Sequence, residues 1–156
     1  MNKLRRLILK GSMAAGTLGV AAGAGLLVPG QVLAAWPKEA FGQKTLDEAL
    51  SKLLGGSEMS ESAEVKIKVP EIAENGAVVP VTVTAGMANV ESITIAAPSN
   101  PAPLVASFDF TQGAHGYAST RIKMGKSGDV IAIVKADGKL YSARKNVKVT
   151  IGGCGG

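Results

Sequence analysis

Cysteine, histidine and tryptophan each occur once in the 156 residues, and phenylalanine and tyrosine together add only five more aromatics. A single cysteine cannot form an internal disulfide, so its thiol is left free, paired in trans, or modified. One imidazole and one thiol, with no cluster of His, Cys or carboxylate ligands at short spacing, leave no pattern for a side-chain metal site, and neither metal nor cofactor is expected. Catalysis needs convergent ionisable groups, and these are equally scarce. His115 sits in the glycine-flanked stretch QGAHGYAS, where a turn histidine needs no further role. Cys154 lies between two pairs of glycines, with no rigid element to hold it beside a base. The chain reads as non-catalytic.

Long apolar runs are missing too, with one exception near the start. Residues 11–28 are barely long enough to cross a bilayer and are diluted by Gly11, Gly16, Gly19, Gly23 and Gly25. The preceding MNKLRRLILK carries Lys3, Arg5, Arg6 and Lys10 and no acid, so residues 1–34 read as a cleaved export signal, with small residues at the cleavage point after Ala34 or Ala35. Arg5-Arg6, followed by Leu7-Ile8-Leu9-Lys10, fits the twin-arginine form. Leu4 stands where that motif usually has serine or threonine, and ordinary Sec export is the alternative. With no cysteine just after the signal to take a lipid, the mature form is expected in the periplasm without a membrane anchor. Loss of the leader removes four basic residues and no acidic ones, leaving 13 basic against 12 acidic. Without a basic cluster, nucleic-acid binding is excluded.

What remains is patterned. In KTLDEALSKLLGG, Leu46, Ala49, Leu50, Leu53 and Leu54 recur at helical spacing, Thr45 and Glu48 are placed as a capping box, and Gly55-Gly56 ends the run. Residues 35–60 therefore form an N-terminal helical segment whose leucine stripe is a packing face. From Ala63 onward the period changes to two. EVKIKV sets Val65, Ile67 and Val69 against Glu64, Lys66 and Lys68, a strand with one wet face. After the Asn75-Gly76 turn comes AVVPVTVTA, whose Pro80 cannot donate to a ladder and so marks an edge or a bulge. NVESITIAA, LVASFDF, YASTRIKM, DVIAIVKA and KLYSARKNVKVTI complete seven strands, with Asp137-Gly138 a hairpin signal between the last two. Seven short strands within residues 61–151 predict an all-β, immunoglobulin-like antiparallel sandwich, with a small barrel as the alternative. Sandwich edges must be blunted or covered, and a partner protein is one cover.

Residues 152–156, GGCGG, remain. Gly152, Gly153, Gly155 and Gly156 carry no Cβ, which predicts a flexible, slender sleeve around Cys154 able to thread a narrow slot. Three residues beyond Ile151 carry the thiol about 10 Å, and fraying of the strand would lengthen that reach. No helix N-terminus, neighbouring cation or metal lies within the tail to favour the thiolate, so activation must come from another protein. Such an arm suits a covalent carrier, because tethering replaces repeated capture of a small intermediate by presentation at high effective concentration. The rival reading is an interaction module that dimerises through a Cys154 disulfide.

VKVTIGGCGG, preceded by ASTRIKM and GKLYSARKNVKV, resembles the SoxY family, the sulfur carriers of periplasmic thiosulfate oxidation. The resemblance covers most of the mature chain in arrangement and is most specific at the tail. It implies that Cys154 receives thiosulfate by oxidative conjugation through a c-type cytochrome, SoxXA, as a cysteine S-thiosulfonate. It further implies that SoxB hydrolyses off sulfate, and that a sulfane dehydrogenase, where present, oxidises the remaining sulfur. SoxZ, itself a small β-sandwich, is the implied heterodimer partner.

Overall fold

The computed structural model describes residues 37–150. The predicted leader, with Arg5 and Arg6, and the predicted arm at 152–156 lie outside the described residues.

Two helices come first, α1 (Lys38–Phe41) and α2 (Leu46–Leu54). Thr45 caps α2: its Oγ1 accepts from the Glu48 amide at 3.4 Å. At the other end Gly55 adopts φ +81° and its amide donates to Ser51 O, the left-handed closure that glycine makes without a steric penalty. The predicted stripe is a packing face. Ala49 and Leu50 are fully buried against Ala96, Leu104, Ile131 and Ile133, with Leu46, Leu53 and Leu54 packed around them.

The seven predicted strands all form: β2 (Val65–Lys68), β4 (Val79–Ala85), β5 (Val90–Ala96), β6 (Leu104–Asp109), β7 (Tyr117–Ile122), β8 (Gly128–Ala136) and β9 (Lys139–Val149). They build two packed sheets, β2-β4-β7 and β9-β8-β5-β6, all antiparallel. The immunoglobulin-like sandwich therefore stands. In the constant-type arrangement the fourth strand lies on the sheet of the first; here β6 pairs with β5 on the larger sheet. Val79, Val81 and Val83 of one sheet meet Ile93, Ile95, Val130, Val134 and Val147 of the other, all fully buried. Each such side chain contributes about 1.5–3 kcal/mol relative to exposure.

In β8 the side chains of Val130, Ala132 and Val134 face this inner core, while Ile131 and Ile133 face the helix. That is why DVIAIVKA is a continuous apolar run: its sheet is covered on both faces. By contrast β2 alternates buried valine and isoleucine with exposed lysine, because nothing among the described residues covers the outer face of its sheet.

Two features depart from the sequence expectation. Pro80 does not mark an edge strand, because β4 is the middle strand of its sheet. The Ala85 amide points to the β7 side, donating to Gly116 O, so by alternation the Pro80 nitrogen points to the β2 side. There β2 pairs only from Ala85 to Thr82 and has ended before Pro80 is reached. The proline is thus an edge residue locally, within a central strand. The second departure is a pair of unanticipated strands, β1 (Ser60–Glu61) and β3 (Ile72–Ala73), each of two residues and each parallel to β9.

The Asp137-Gly138 hairpin forms as expected, with φ of +49° and +70° at its two residues, the left-handed pair of a type I′ turn.

Candidate functional site: the root of the C-terminal arm

Strand β9 runs the length of the sandwich, and its last residues lead into the predicted arm. Both of its edges are occupied at this point. On one side β8 ends at Gly128, paired with Val147, and the chain beyond turns away. Ser127 continues the ladder with its side chain: Oγ accepts from the Val149 amide at 2.8 Å and donates to Val149 O at 3.3 Å. On the other side β3 supplies backbone. The Lys148 amide donates to Glu71 O at 2.8 Å, and the Thr150 amide to Ala73 O at 3.0 Å, with Thr150 Oγ1 reaching the same carbonyl at 3.4 Å.

A close turn braces this clasp from below. The Asn75 side chain accepts from the Ala77 amide at 2.9 Å, and Gly76 O accepts from the Met124 amide at 2.7 Å. A Cβ on Gly76 would collide with Met124 O and lie 2.8 Å from Val149 Cγ1, so only glycine lets the turn press against the strand end. Nearby, Asn100 ties two loops together, donating to Lys123 O at 2.7 Å and accepting from the Gly125 amide at 3.0 Å. The root is therefore a rigid platform from which residues 151–156 depart.

The predicted attachment residue Cys154 and its glycines Gly152, Gly153, Gly155 and Gly156 lie outside the described residues, so the structure supplies their point of departure. It also locates His115, exposed at the opposite pole. There the β4–β5 and β6–β7 loops and the β8–β9 turn surround an open cleft of about 740 Å³, lined by Met87, Glu91, Phe110 and His115 among others. The glycines flanking His115 have conformational reasons: Gly113 has φ +84°, and a Cβ on Gly116 would lie 2.9 Å from both Ala85 Cβ and Val90 Cγ2. Glu91, at a bulge in β5, ties down this pole. Its carboxylate accepts from the Gly138 amide at 2.8 Å and pairs with Lys135 at 3.3 Å. The hydrogen bond from Gly138, and then Lys135, hold its pKa below the ordinary carboxylate value.

The eleven residues of β9 separate the two poles by roughly 34 Å at a strand's rise. The four residues from Thr150 to Cys154 span at most about 14 Å of chain, less than that separation. Among the described residues no group of three His, Cys, Asp or Glu side chains could hold a metal ion, and no helix is long and apolar enough to cross a membrane.

Sequence reasoning missed the clasp. Ser127 stood within a glycine-bounded connection, and Ile72-Ala73 is too short to show a period. The hydroxyl's role depends on where β8 happens to stop relative to β9, which no local pattern encodes.

Comparison with known proteins bears on the same region. The family model described as "Sulfur oxidation protein SoxY" matches residues 50–154, a span that takes in the second half of α2, the whole sandwich, the clasp and Cys154. The solved structure of the sulfur carrier protein SoxY from Chlorobium limicola f thiosulfatophilum is 44% identical, with a TM-score of 0.63, over 69% of this chain and 97% of that one. No curated protein matches. With two thirds of its length, clasp and terminal cysteine included, under one family description, the chain belongs to the SoxY family of sulfur oxidation proteins.

Proposed function

We propose that the chain is a covalent carrier of sulfur intermediates in thiosulfate oxidation, with Cys154 as the attachment point and partner enzymes supplying the chemistry. One observation carries the reading: the family match runs to Cys154, and the fold fastens the chain up to Thr150, four residues before it. A rigid root and a glycine-flanked thiol are what a tethered cargo needs. The sandwich provides the handle, and the tail is thin enough to enter a recessed site.

Loading joins the Cys154 sulfur to the sulfane sulfur of thiosulfate. A sulfur–sulfur bond forms, the thiol proton is released, and an electron pair leaves to the c-type cytochrome SoxXA. Water then attacks the terminal sulfonate in SoxB, releasing sulfate and protons and leaving a persulfide on the cysteine. A sulfane dehydrogenase, where one operates, oxidises that outer sulfur to a sulfonate, taking three oxygens from water, releasing the protons and passing six electrons to a cytochrome acceptor. A second hydrolysis returns the thiol. None of these steps asks this chain for an acid, a base or a metal, and its part is to hold and present.

Export through the leader at 1–34 places the carrier in the periplasm, as a heterodimer with SoxZ. A twin-arginine signal exports folded cargo, and a small domain without a cofactor gains from that route when it carries a bound partner across. Changing only Arg5 and Arg6 to lysine is expected to lower periplasmic SoxZ together with this chain, read by fractionation and immunoblotting. SoxZ arriving at normal levels would end the co-export idea.

Intact-mass analysis of the protein from thiosulfate-grown cells tests the carrier itself. Sulfur-containing adducts confined to the Cys154 peptide of a single chain are expected, whereas a reducible doubled mass alone would favour the disulfide dimer. In a reconstituted system Cys154→Ser is expected to abolish thiosulfate-dependent turnover while leaving the unfolding midpoint and SoxZ binding unchanged. Retained turnover would refute the reading.

A further inference from the structure

We infer that Ser127 and the short strand β3 form a length-setting clamp: by closing both edges of β9 through Thr150, they fix how far the thiol can reach from the folded domain. This deepens the carrier reading, on which its kinetic consequence rests; the clamp itself stands on the hydrogen bonds.

A terminal strand with an open edge frays, and each residue that peels away lengthens the tail by about 3.3–3.6 Å. At this strand end neither edge is open. Where β8 stops two residues short of the end of β9, the Ser127 hydroxyl acts as a surrogate strand partner, meeting both the amide and the carbonyl of Val149. On the other edge the two residues of β3 pair with Lys148 and Val149 of β9. Of its two side chains Ala73 is buried in the inner core and Ile72 leaves 58% of its surface exposed, so the segment is held by one small core contact and by its pairing with β9. Between them the two devices hold three successive residues, Lys148, Val149 and Thr150. The arm accordingly gains no length from residues before 151, and four residues carry the Cys154 backbone about 14 Å beyond Thr150.

Fixed length has a chemical use. An arm that is too short does not bring sulfur to a recessed reaction centre, while one that lengthens by fraying lowers the effective concentration of the thiol at that centre. Ser127 is thus a positioning residue that acts on Cys154 through Val149. The processing sites matched to this carrier lie within that reach of its docked root.

Two measurements on the full mature chain in complex with SoxZ decide the matter. In the first, amide hydrogen exchange is read at Val149 and Thr150. Protection comparable to Val147 is expected in the native chain, with about a tenfold loss at Val149 in Ser127→Ala, the order expected for one hydrogen bond. Exchange at unstructured-peptide rates in the native chain would overturn the clamp. In the second, one glycine, Gly152, is deleted, which is expected to slow thiosulfate-dependent turnover several-fold. Adding Ser127→Ala and Thr150→Pro, which removes the bonds to Val149 and the two from Thr150 to Ala73, is expected to restore at least half of the lost rate by returning length. A variant that merely damaged the fold would slow turnover further. A deletion without effect, or a slowed deletion that the release does not rescue, rejects length setting while the carrier role stands. If Cys154→Ser turns over normally, the carrier reading fails instead, and the exchange result alone judges the clamp.

Discussion

At the residue scale, several side chains do work that their type alone does not announce. Glu91 is one. Its carboxylate is more acidic in the folded chain than the ordinary 4.5, through the Gly138 amide first and Lys135 second. A carboxyl that gives up its proton more readily when folded stabilises the fold at pH values above the unfolded pKa. That contribution fades as pH falls below about 4.5 and through the lower folded value. Glu91→Gln should therefore flatten the acid limb of the stability profile below about pH 4.5, read as the urea midpoint across pH; an unchanged limb would show that the bond to Gly138 does not outlast exposure to solvent. Gly76 is another case. Gly76→Ala should destabilise the domain by about 1–3 kcal/mol, because the atom it would strike is backbone, Met124 O, which has little room to yield. Asn75-Gly76 was legible as a turn, since that dipeptide favours one. Its pressing against Val149 was not legible, because 73 residues separate the two in the chain.

At the element scale, α2 and β8 explain each other. The helix buries Ala49 and Leu50 on the larger sheet, and Ile131 and Ile133 turn outward from β8 to receive them. Leu50→Ala should cost about 2–5 kcal/mol, the range for removing a fully buried leucine, measured by chemical denaturation. Thr45→Ala should cost about 1 kcal/mol through the lost cap on the Glu48 amide. If the leucine change cost no more than the cap, the helix would be a loose appendage and not part of the fold. This element was plain in the sequence because cap, period and closing glycines agreed over a dozen residues. Pro80 shows the opposite: the rule that proline avoids a central strand failed because β2 is shorter than β4, and strand length is a property of the pair.

At the scale of the whole molecule, the arrangement is polar: arm root at one end, His115 cleft at the other, and β9 connecting them as the longest strand among those described. Replacing Gly152, Gly153, Gly155 and Gly156 with valine should slow processing at recessed partner sites far more than it shifts the unfolding midpoint. A large loss of stability instead would put the tail inside the fold. The sequence by itself determined the helix and its ends, the positions of the seven long strands, the type I′ turn and the location of the lone thiol, because each is written in neighbouring residues as a period of 3.6 or 2, a cap, or a glycine. Only the tertiary structure decided which strands pair, that β6 joins the larger sheet, that Pro80 sits in a middle strand, and that a serine hydroxyl and a two-residue strand hold the end of β9. Those features depend on register between segments far apart in the chain and on where one strand stops against another, and burial of the common core settles both at once.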